Sequence, residues 1–288
     1  MSAVLKQGFD LFKLRIGLMI AFTALVGAAI TPGRALKAWE VLAIGLTVLL
    51  ASASAGAFNQ YYEADLDRLM PRTRRRLFAS GALRAGPGWL ALIAAMLALA
   101  VGAAAVALNT ASALHVFLGA FSYAVVYTVW LKRRTWLNIV IGGLAGSFAV
   151  LAGAAAVDPG IGALPASLAL VLFLWTPSHF WCLAIAYRDD YVAAGVPMLP
   201  AVIGNERASR VILANTVALV GASFLPLLFG MGWIYAACAL AGGGLFLVRN
   251  LALVRDTSRA TAMRCFHASL AQLALLLLGA LADTALRG

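Results

Sequence analysis

Charge is what this 288-residue chain has least of. Only 11% of its residues are Asp, Glu, Lys or Arg and 63% are apolar, whereas a soluble domain carries about 25% charged and about 45–50% apolar residues. The scarcity is also uneven, with no charged residue between Arg84 and Lys132, Arg134 and Asp158, Asp158 and Arg188, Arg210 and Arg249, or Arg264 and Asp283. A helix needs roughly 20 apolar residues to cross a bilayer, and each gap holds one or two such spans. Soluble enzymes, disordered chains and nucleic-acid-binding domains are excluded, and no nucleic-acid partner is expected. The three cysteines, Cys182, Cys238 and Cys265, all in apolar context, have no disulfide or metal-ligand spacing and read as small buried hydrophobes. No repeat of fixed period is evident. The composition reads as an all-α, polytopic membrane protein, a single domain over residues 1–288.

The apolar runs give nine expected spans: Leu14–Ile30, Ala38–Phe58, Gly88–Leu108, Ala111–Leu131, Leu137–Val157, Leu164–Ala186, Val211–Phe229, Trp233–Val248 and Cys265–Leu281. Turn formers separate them, among them Thr31-Pro32-Gly33, Gly86-Pro87-Gly88 and Asp158-Pro159-Gly160. No small-residue cleavage site followed by a polar chain appears after the first run, so it reads as a retained helix. The formal net charge of +11 follows from topology: of the 22 Lys and Arg, only Arg34, Lys37 and Arg287 fall on the side away from the N-terminus. The positive-inside rule makes the N-terminal side cytoplasmic, and the absence of a long Arg/Ser-rich transit segment favours a bacterial plasma membrane. The two long polar connections, 60–86 and 187–210, both lie on that side, and both combine acids with bases.

Chemistry is therefore expected at the cytoplasmic face. Asn59, Glu63 and Asp67 stand four residues apart, so a helix continuing from the second span lines them on one face, with Asp65 beside them. Such oxygen donors suit Mg²⁺, which takes a few carboxylates together with waters and substrate phosphates. Arg68, Arg72, Arg74, Arg75 and Arg76 follow at once; guanidinium groups beside carboxylates suit a polyanion bridged by a divalent ion. Tyr127, Lys132, Arg133 and Asn138 form a third group, with Gly142-Gly143 just inside the next span to permit close helix packing. The fourth group holds Trp175, Pro177, Ser178, His179 and Trp181, followed by Asp189 and Asp190. An ionisable His within a span is costly enough to be a functional candidate, while His115 and His267 read as structural. An oily bundle with a central cavity open to the cytoplasm, and acids and bases at its mouth, suits a lipid diphosphate. The rival reading of a different class is a lipid-binding or transport protein whose basic loops hold anionic headgroups.

These residues resemble the first acidic motif of the UbiA-type intramembrane prenyltransferases: Asn59, Glu63 and Asp67, then Met70-Pro71-Arg72-Thr73 and Arg76. More narrowly, Tyr127 to Gly143, Trp175 to Trp181 and Asp190-Tyr191 to Pro200 are similar to the branch of that family that farnesylates heme. The resemblance implies ionisation of farnesyl diphosphate at a Mg²⁺ site and attack by a vinyl group of heme b, giving heme O. Residue by residue it implies Asn59, Glu63, Asp67 and Asp190 for metal-diphosphate, and Arg72, Arg76, Lys132 and Arg133 for diphosphate oxygens. His179, Trp181, Asn138 and Tyr127 would face the acceptor, with His179 an axial or propionate contact. It also implies membrane lipid around the chain and partners among heme-biosynthesis or oxidase-assembly proteins. The sequence departs from the pattern at Glu63, where Asp is commoner, at Leu77, at Ala149-Val150 and Ala154, and at Ser178. The last two sets fall in spans expected to line the acceptor pocket, which leaves a different tetrapyrrole, quinone-type or aromatic acceptor open.

Overall fold

The computed structural model describes residues 3–287; Met1, Ser2 and Gly288, the ends of the expected domain, lie outside the described residues. The described chain is helices joined by turns and loops, with no strand. A short α1 (Ala3–Leu11) turns at Lys13, whose backbone is left-handed (φ 49°), into α2 (Leu14–Ile30). Next come α3 (Ala38–Tyr62), α4 (Ala64–Leu69) and α5 (Pro87–Ala107). Then α6 (Thr110–Phe121) runs on as a π-helical stretch, Ser122–Leu131. A broken pair, α7 (Asn138–Gly142) and α8 (Leu144–Val157), leads to α9 (Ala163–Ala186). Short α10 (Arg188–Ala193) and α11 (Leu199–Ile203) connect to α12 (Asn205–Ala222) and α13 (Leu225–Leu228), and α14 (Trp233–Arg255) and α15 (Arg259–Arg287) close the bundle. Eight of the helical runs are long and apolar enough to span a membrane, and the 17-residue α2 is a shorter apolar ninth. The chain is a multi-pass membrane protein.

The expected spans coincide with helices, which extend further at the polar ends. α3 continues through Asn59, α14 reaches Arg255 and α15 begins at Arg259. The reason is that backbone groups near the membrane surface keep satisfying one another whatever the side chains are.

Two apolar clusters make up the interior. One joins α2, α3, α5, α6 and α8 through small residues such as Ala24, Ala51, Ala55, Ala104 and Ala152. The other joins α2, α8, α9, α12, α14 and α15 around Leu168, Ile212, Tyr235, Phe246 and Leu276. α2 and α8 belong to both, and their crossing is close enough that a Cβ added at Gly153 would lie 1.8 Å from the Ala24 carbonyl oxygen, and one at Gly27 would lie 2.3 Å from that of Val150. Small residues allow this approach where lipid supplies no hydrophobic drive. Ala149, Val150 and Ala154 are buried in this segment. Of the departures from the family pattern, Val150 lies at this crossing, where its carbonyl faces Gly27.

Candidate active site

The acidic motif sits where α3 ends. Glu63 closes α3 and opens α4, bending the chain (φ −95°, ψ 13°), so the expected continuous helix is broken at its middle member. The i→i+4 bonds nevertheless run across the break, from Glu63 N to Asn59 O (3.0 Å) and from Asp67 N to Glu63 O (2.8 Å). Asn59, Glu63 and Asp67 therefore stay stacked on one face, and all three are buried.

Each has a cation against it. Lys13 Nζ donates to Asn59 Oδ1 (2.6 Å) and to the Tyr123 hydroxyl (2.8 Å). Lys132 Nζ donates to Glu63 Oε2 at 2.5 Å, and Arg76 Nη1 to both oxygens of Asp67 at 2.9 and 2.8 Å. At the rim, Arg133 forms a two-pronged pair with Asp65, both bonds 2.8 Å long. That pair holds the Asp65 carboxyl below the usual carboxylate range and raises the Arg133 guanidinium. Burial lowers the Lys13 ammonium to about 7, assisted by the Arg76 charge and opposed by Glu63.

The π-helical stretch brings the opposing wall into reach. Its wider turn lets Thr128 Oγ donate to Tyr123 O, five residues back (2.9 Å), while Asn59 Nδ2 donates to Thr128 Oγ (3.0 Å). Tyr123 and Tyr127 stack at 5.7 Å, and the Tyr127 ring rests where a Cβ on Gly142 would come within 2.9 Å of it. π-bulges recur at functional sites because they re-aim side chains that a regular helix would turn away. Asn138, fully buried at the start of α7, donates from Nδ2 to Lys132 O (3.4 Å), and its Oδ1 has no partner among the described residues.

A second polar cluster is packed between α9 and α15. His179 is buried with its ring between Trp175 (centroids 4.2 Å) and Phe266 (4.4 Å). Its Nδ1 lies 2.7 Å from Ser269 Oγ, whose hydroxyl donates to Phe266 O (2.6 Å). A hydroxyl has one proton; with it on that carbonyl, Nδ1–H is the donor and Nε2 keeps its lone pair. Trp181 is buried nearby in α9, with its Nε1–H unpartnered among the described residues. The Cys182 and Cys265 sulfurs, 3.1 Å apart, complete the contact between the two helices. Ser178 is not part of this cluster. It accepts from Asn215 Nδ2 (2.7 Å) and Thr216 Oγ (2.9 Å), tying α9 to α12, which gives its presence a packing reason.

Among the expected diphosphate and metal residues, the fold therefore brings together Asn59, Glu63, Asp67, Arg76 and Lys132, with Arg133 at the rim. Arg72 lies over the ring of Tyr187 at 5.4 Å. Asp190, half-buried in the first turn of α10, makes no side-chain hydrogen bond or ion pair among the described residues. Lys13 and Tyr123 are the members that sequence reasoning missed. Lys13 counted only as a topogenic base, and nothing in the run Ser122–Leu131 signals a π-helix.

A model of the UbiA prenyltransferase family matches residues 20–276. The chain belongs to the UbiA prenyltransferase family. This UbiA member is 54% identical over 288 residues, the whole of both chains, to "Protoheme IX farnesyltransferase 2" of Paramagnetospirillum magneticum. It is 50% identical to "Protoheme IX farnesyltransferase 1" of the same organism, over 96% of this chain and 98% of the relative. The UbiA fold is seen in a solved homologue from Aeropyrum pernix K1 at a TM-score of 0.74 and 22% identity, covering 95% of this chain and 98% of that one. A homologue from Archaeoglobus fulgidus, solved with DMAPP and Mg²⁺, aligns at a TM-score of 0.71 and 16% identity, covering 94% and 99%.

No three His, Cys, Asp or Glu side chains among the described residues form a ready-made metal cage. The donor set still fits Mg²⁺, which binds one or two carboxylates and completes its shell with substrate phosphate and water. Glu63 Oε1 is buried and without a partner, an acceptor held ready for a cation.

Proposed function

We propose that the chain is a protoheme IX farnesyltransferase, moving farnesyl from its diphosphate to a vinyl group of heme b. The observation that carries the reading is the buried Asn59–Glu63–Asp67 face, each member capped by a base, at one end of an apolar bundle. Full-length likeness to relatives of that name supports heme as the acceptor.

Asn59, Glu63 and Asp67, with Asp190 closing in from α10, would hold Mg²⁺, which supplies positive charge to the diphosphate oxygens when bound. Lys132, Arg76 and Arg133 already lie on the acids, and on substrate binding they turn their donors to the leaving diphosphate as its carbon–oxygen bond breaks. Lys13 fixes Asn59 from the opposite side. The farnesyl chain lies in a central cavity of the bundle, where water is excluded and the allylic cation survives long enough to be captured. The heme vinyl π-electrons form the new carbon–carbon bond. Water then adds to the resulting cation and loses a proton, leaving the hydroxyethylfarnesyl group of heme O. His179, with Nε2 unprotonated, faces the acceptor as an axial contact, and Trp181, Asn138 and Tyr127 shape its surroundings.

The same proposal makes the chain one domain of a bacterial inner membrane with its N-terminus in the cytoplasm, as 19 of 22 Lys and Arg on one side favour. Its partners are then heme-biosynthesis or oxidase-assembly proteins that deliver heme b and collect heme O.

The test uses purified full-length protein in detergent with Mg²⁺, farnesyl diphosphate and heme b. Released pyrophosphate together with a heavier heme in the mass spectrum is the expected result. Release only with a quinone-type or other aromatic acceptor removes heme from the reading. No release with any acceptor, together with no Mg²⁺-dependent diphosphate binding, overturns the enzyme reading in favour of a lipid-binding or transport protein.

A further inference from the structure

We propose that Arg72 and Arg259, gathered on Tyr187, form a carboxylate clamp that holds the acidic side arms of the acceptor; this rests on the farnesyltransferase reading above. Both guanidinium groups lie over one ring, Arg259 at 4.9 Å and Arg72 at 5.4 Å from the Tyr187 centroid. Neither has a carboxylate within ion-pair distance among the described residues, and neither donates a side-chain hydrogen bond to another described residue. Cation–π contact offsets part of the repulsion between two like charges. The planar donor fork left open on each arginine matches the two oxygens of a carboxylate.

The neighbouring bases are already engaged. Arg188 donates from Nε to Pro200 O (3.0 Å), and Arg133 and Arg76 are paired with Asp65 and Asp67. Asp256, the acid close to Arg259 in sequence, is taken up by Ser258 and Thr261 and so anchors the first turn of α15 rather than neutralising the arginine. The clamp is thus an open pair of cations on a fixed base.

Its distance from His179 gives the ligand its shape. Arg259 and Phe266 are seven residues apart on α15, hence on one face and about 10 Å apart along the axis, and Phe266 stacks on the His179 ring. Counting instead along α9, Tyr187 follows His179 by eight residues, about 12 Å. Along both helices the His179 imidazole and the two guanidinium groups are thus set about 10–12 Å apart in axial rise. A flat tetrapyrrole with its metal on His179 and two carboxylate arms on one edge spans that interval. A neutral quinone, with no carboxylate to offer, leaves the arginines unanswered.

Arg72 also links the two substrates. It stands five residues after Asp67, on a loop whose Thr73 hydroxyl donates to Asp67 O (3.1 Å), and Arg76 of the same loop grips the Asp67 carboxylate. One short segment therefore touches the diphosphate site at one end and the acceptor arms at the other.

The experiment is heme titration of the purified full-length protein, read by the Soret band, with heme b and with its propionate dimethyl ester. Wild type is expected to bind heme b about a hundredfold more tightly than the diester, about tenfold for each of two charge-assisted contacts. Arg259→Gln and Arg72→Gln each lose about tenfold in heme b affinity and none in diester affinity, and Arg259→Lys recovers part of it. Equal loss for both heme forms marks the arginines as structural and overturns the clamp. Equal wild-type affinity for heme b and its diester overturns it too, with the transferase reading intact. If neither heme form binds while pyrophosphate is released with another acceptor, that reading falls and the clamp with it.

Discussion

Replacing Lys132 with Met tests whether the resting site is held by mutual neutralisation. The Glu63 side chain has no solvent exposure and that of Lys132 only 10%, with Nζ 2.5 Å from Oε2. Deleting the ammonium strands a carboxylate in an apolar bundle, and removing one partner of a buried pair costs about 3–5 kcal/mol. Glu63→Met costs less, because the lysine stem retains some contact with solvent and swings outward on its four carbons. Replacing both by Met removes the charge and its partner together, and the double variant returns to within about 1 kcal/mol of wild type. The coupling between the two sites is then about 3 kcal/mol, far above the roughly 0.5 kcal/mol scatter of independent sites. Reversible unfolding in mixed micelles, followed by the fluorescence of the seven tryptophans, gives all four corners of the cycle. All three variants lose farnesyl transfer, which separates the role in stability from the role in turnover. Additive costs, or a neutral Lys132→Met, would refute the idea that each acid is held by its own base.

Three further outcomes follow from particular contacts. Gly153→Ala drives a methyl to 1.8 Å from Ala24 O and is expected to cost about 3 kcal/mol or to block assembly, whereas Gly146→Ala, whose nearest neighbour is 4.0 Å away, is neutral or better; thermal midpoints in detergent compare them. Ser178→Ala leaves the Thr216 hydroxyl and an Asn215 proton without their acceptor and costs about 1–3 kcal/mol, while product ratios in an acceptor competition assay stay unchanged. Hydrogen bonds from Thr261, from the Ser258 hydroxyl and from the Ser258 backbone lower the Asp256 carboxyl below its usual 3.8. The native state thus binds the proton less well than the unfolded state, and the stabilisation is present above that value and fades as pH falls through the folded one. The midpoint gap between wild type and Asp256→Asn is therefore full at pH 5 to 7 and closes in acid.

The spans were legible because a bilayer asks only for length and apolarity. Asn59, Glu63 and Asp67 were legible because spacing by four survives even a bend at Glu63, where the backbone bonds bridge the break. Lys132 and Arg76 could be assigned to the neighbourhood from their motifs, but not to individual acids, since pairing depends on how α3 faces the end of α6. Lys13 stayed hidden for the same reason: its contacts with Asn59 and Tyr123 join residues 46 and 110 positions away. The π-helical turn leaves no periodic trace in Ser122–Leu131, a run apolar on nearly every side. The neighbours of Val150 and Ser178 were not legible, because a difference in sequence says that a position has changed, not which neighbour it faces.

The Gly27–Gly153 crossing has a mechanical consequence. α2 and α8 are the elements shared by the cluster behind the diphosphate site and the cluster behind His179, and their backbones meet with no side chain between them to act as a bearing. Interiors packed to this density yield in discrete steps rather than by sliding. The seam is the keel of the molecule, and the two packed clusters keep a fixed alignment across it. Gly81, Gly195 and Gly204, at positive φ with open space around them, lie instead in the polar connections away from this seam.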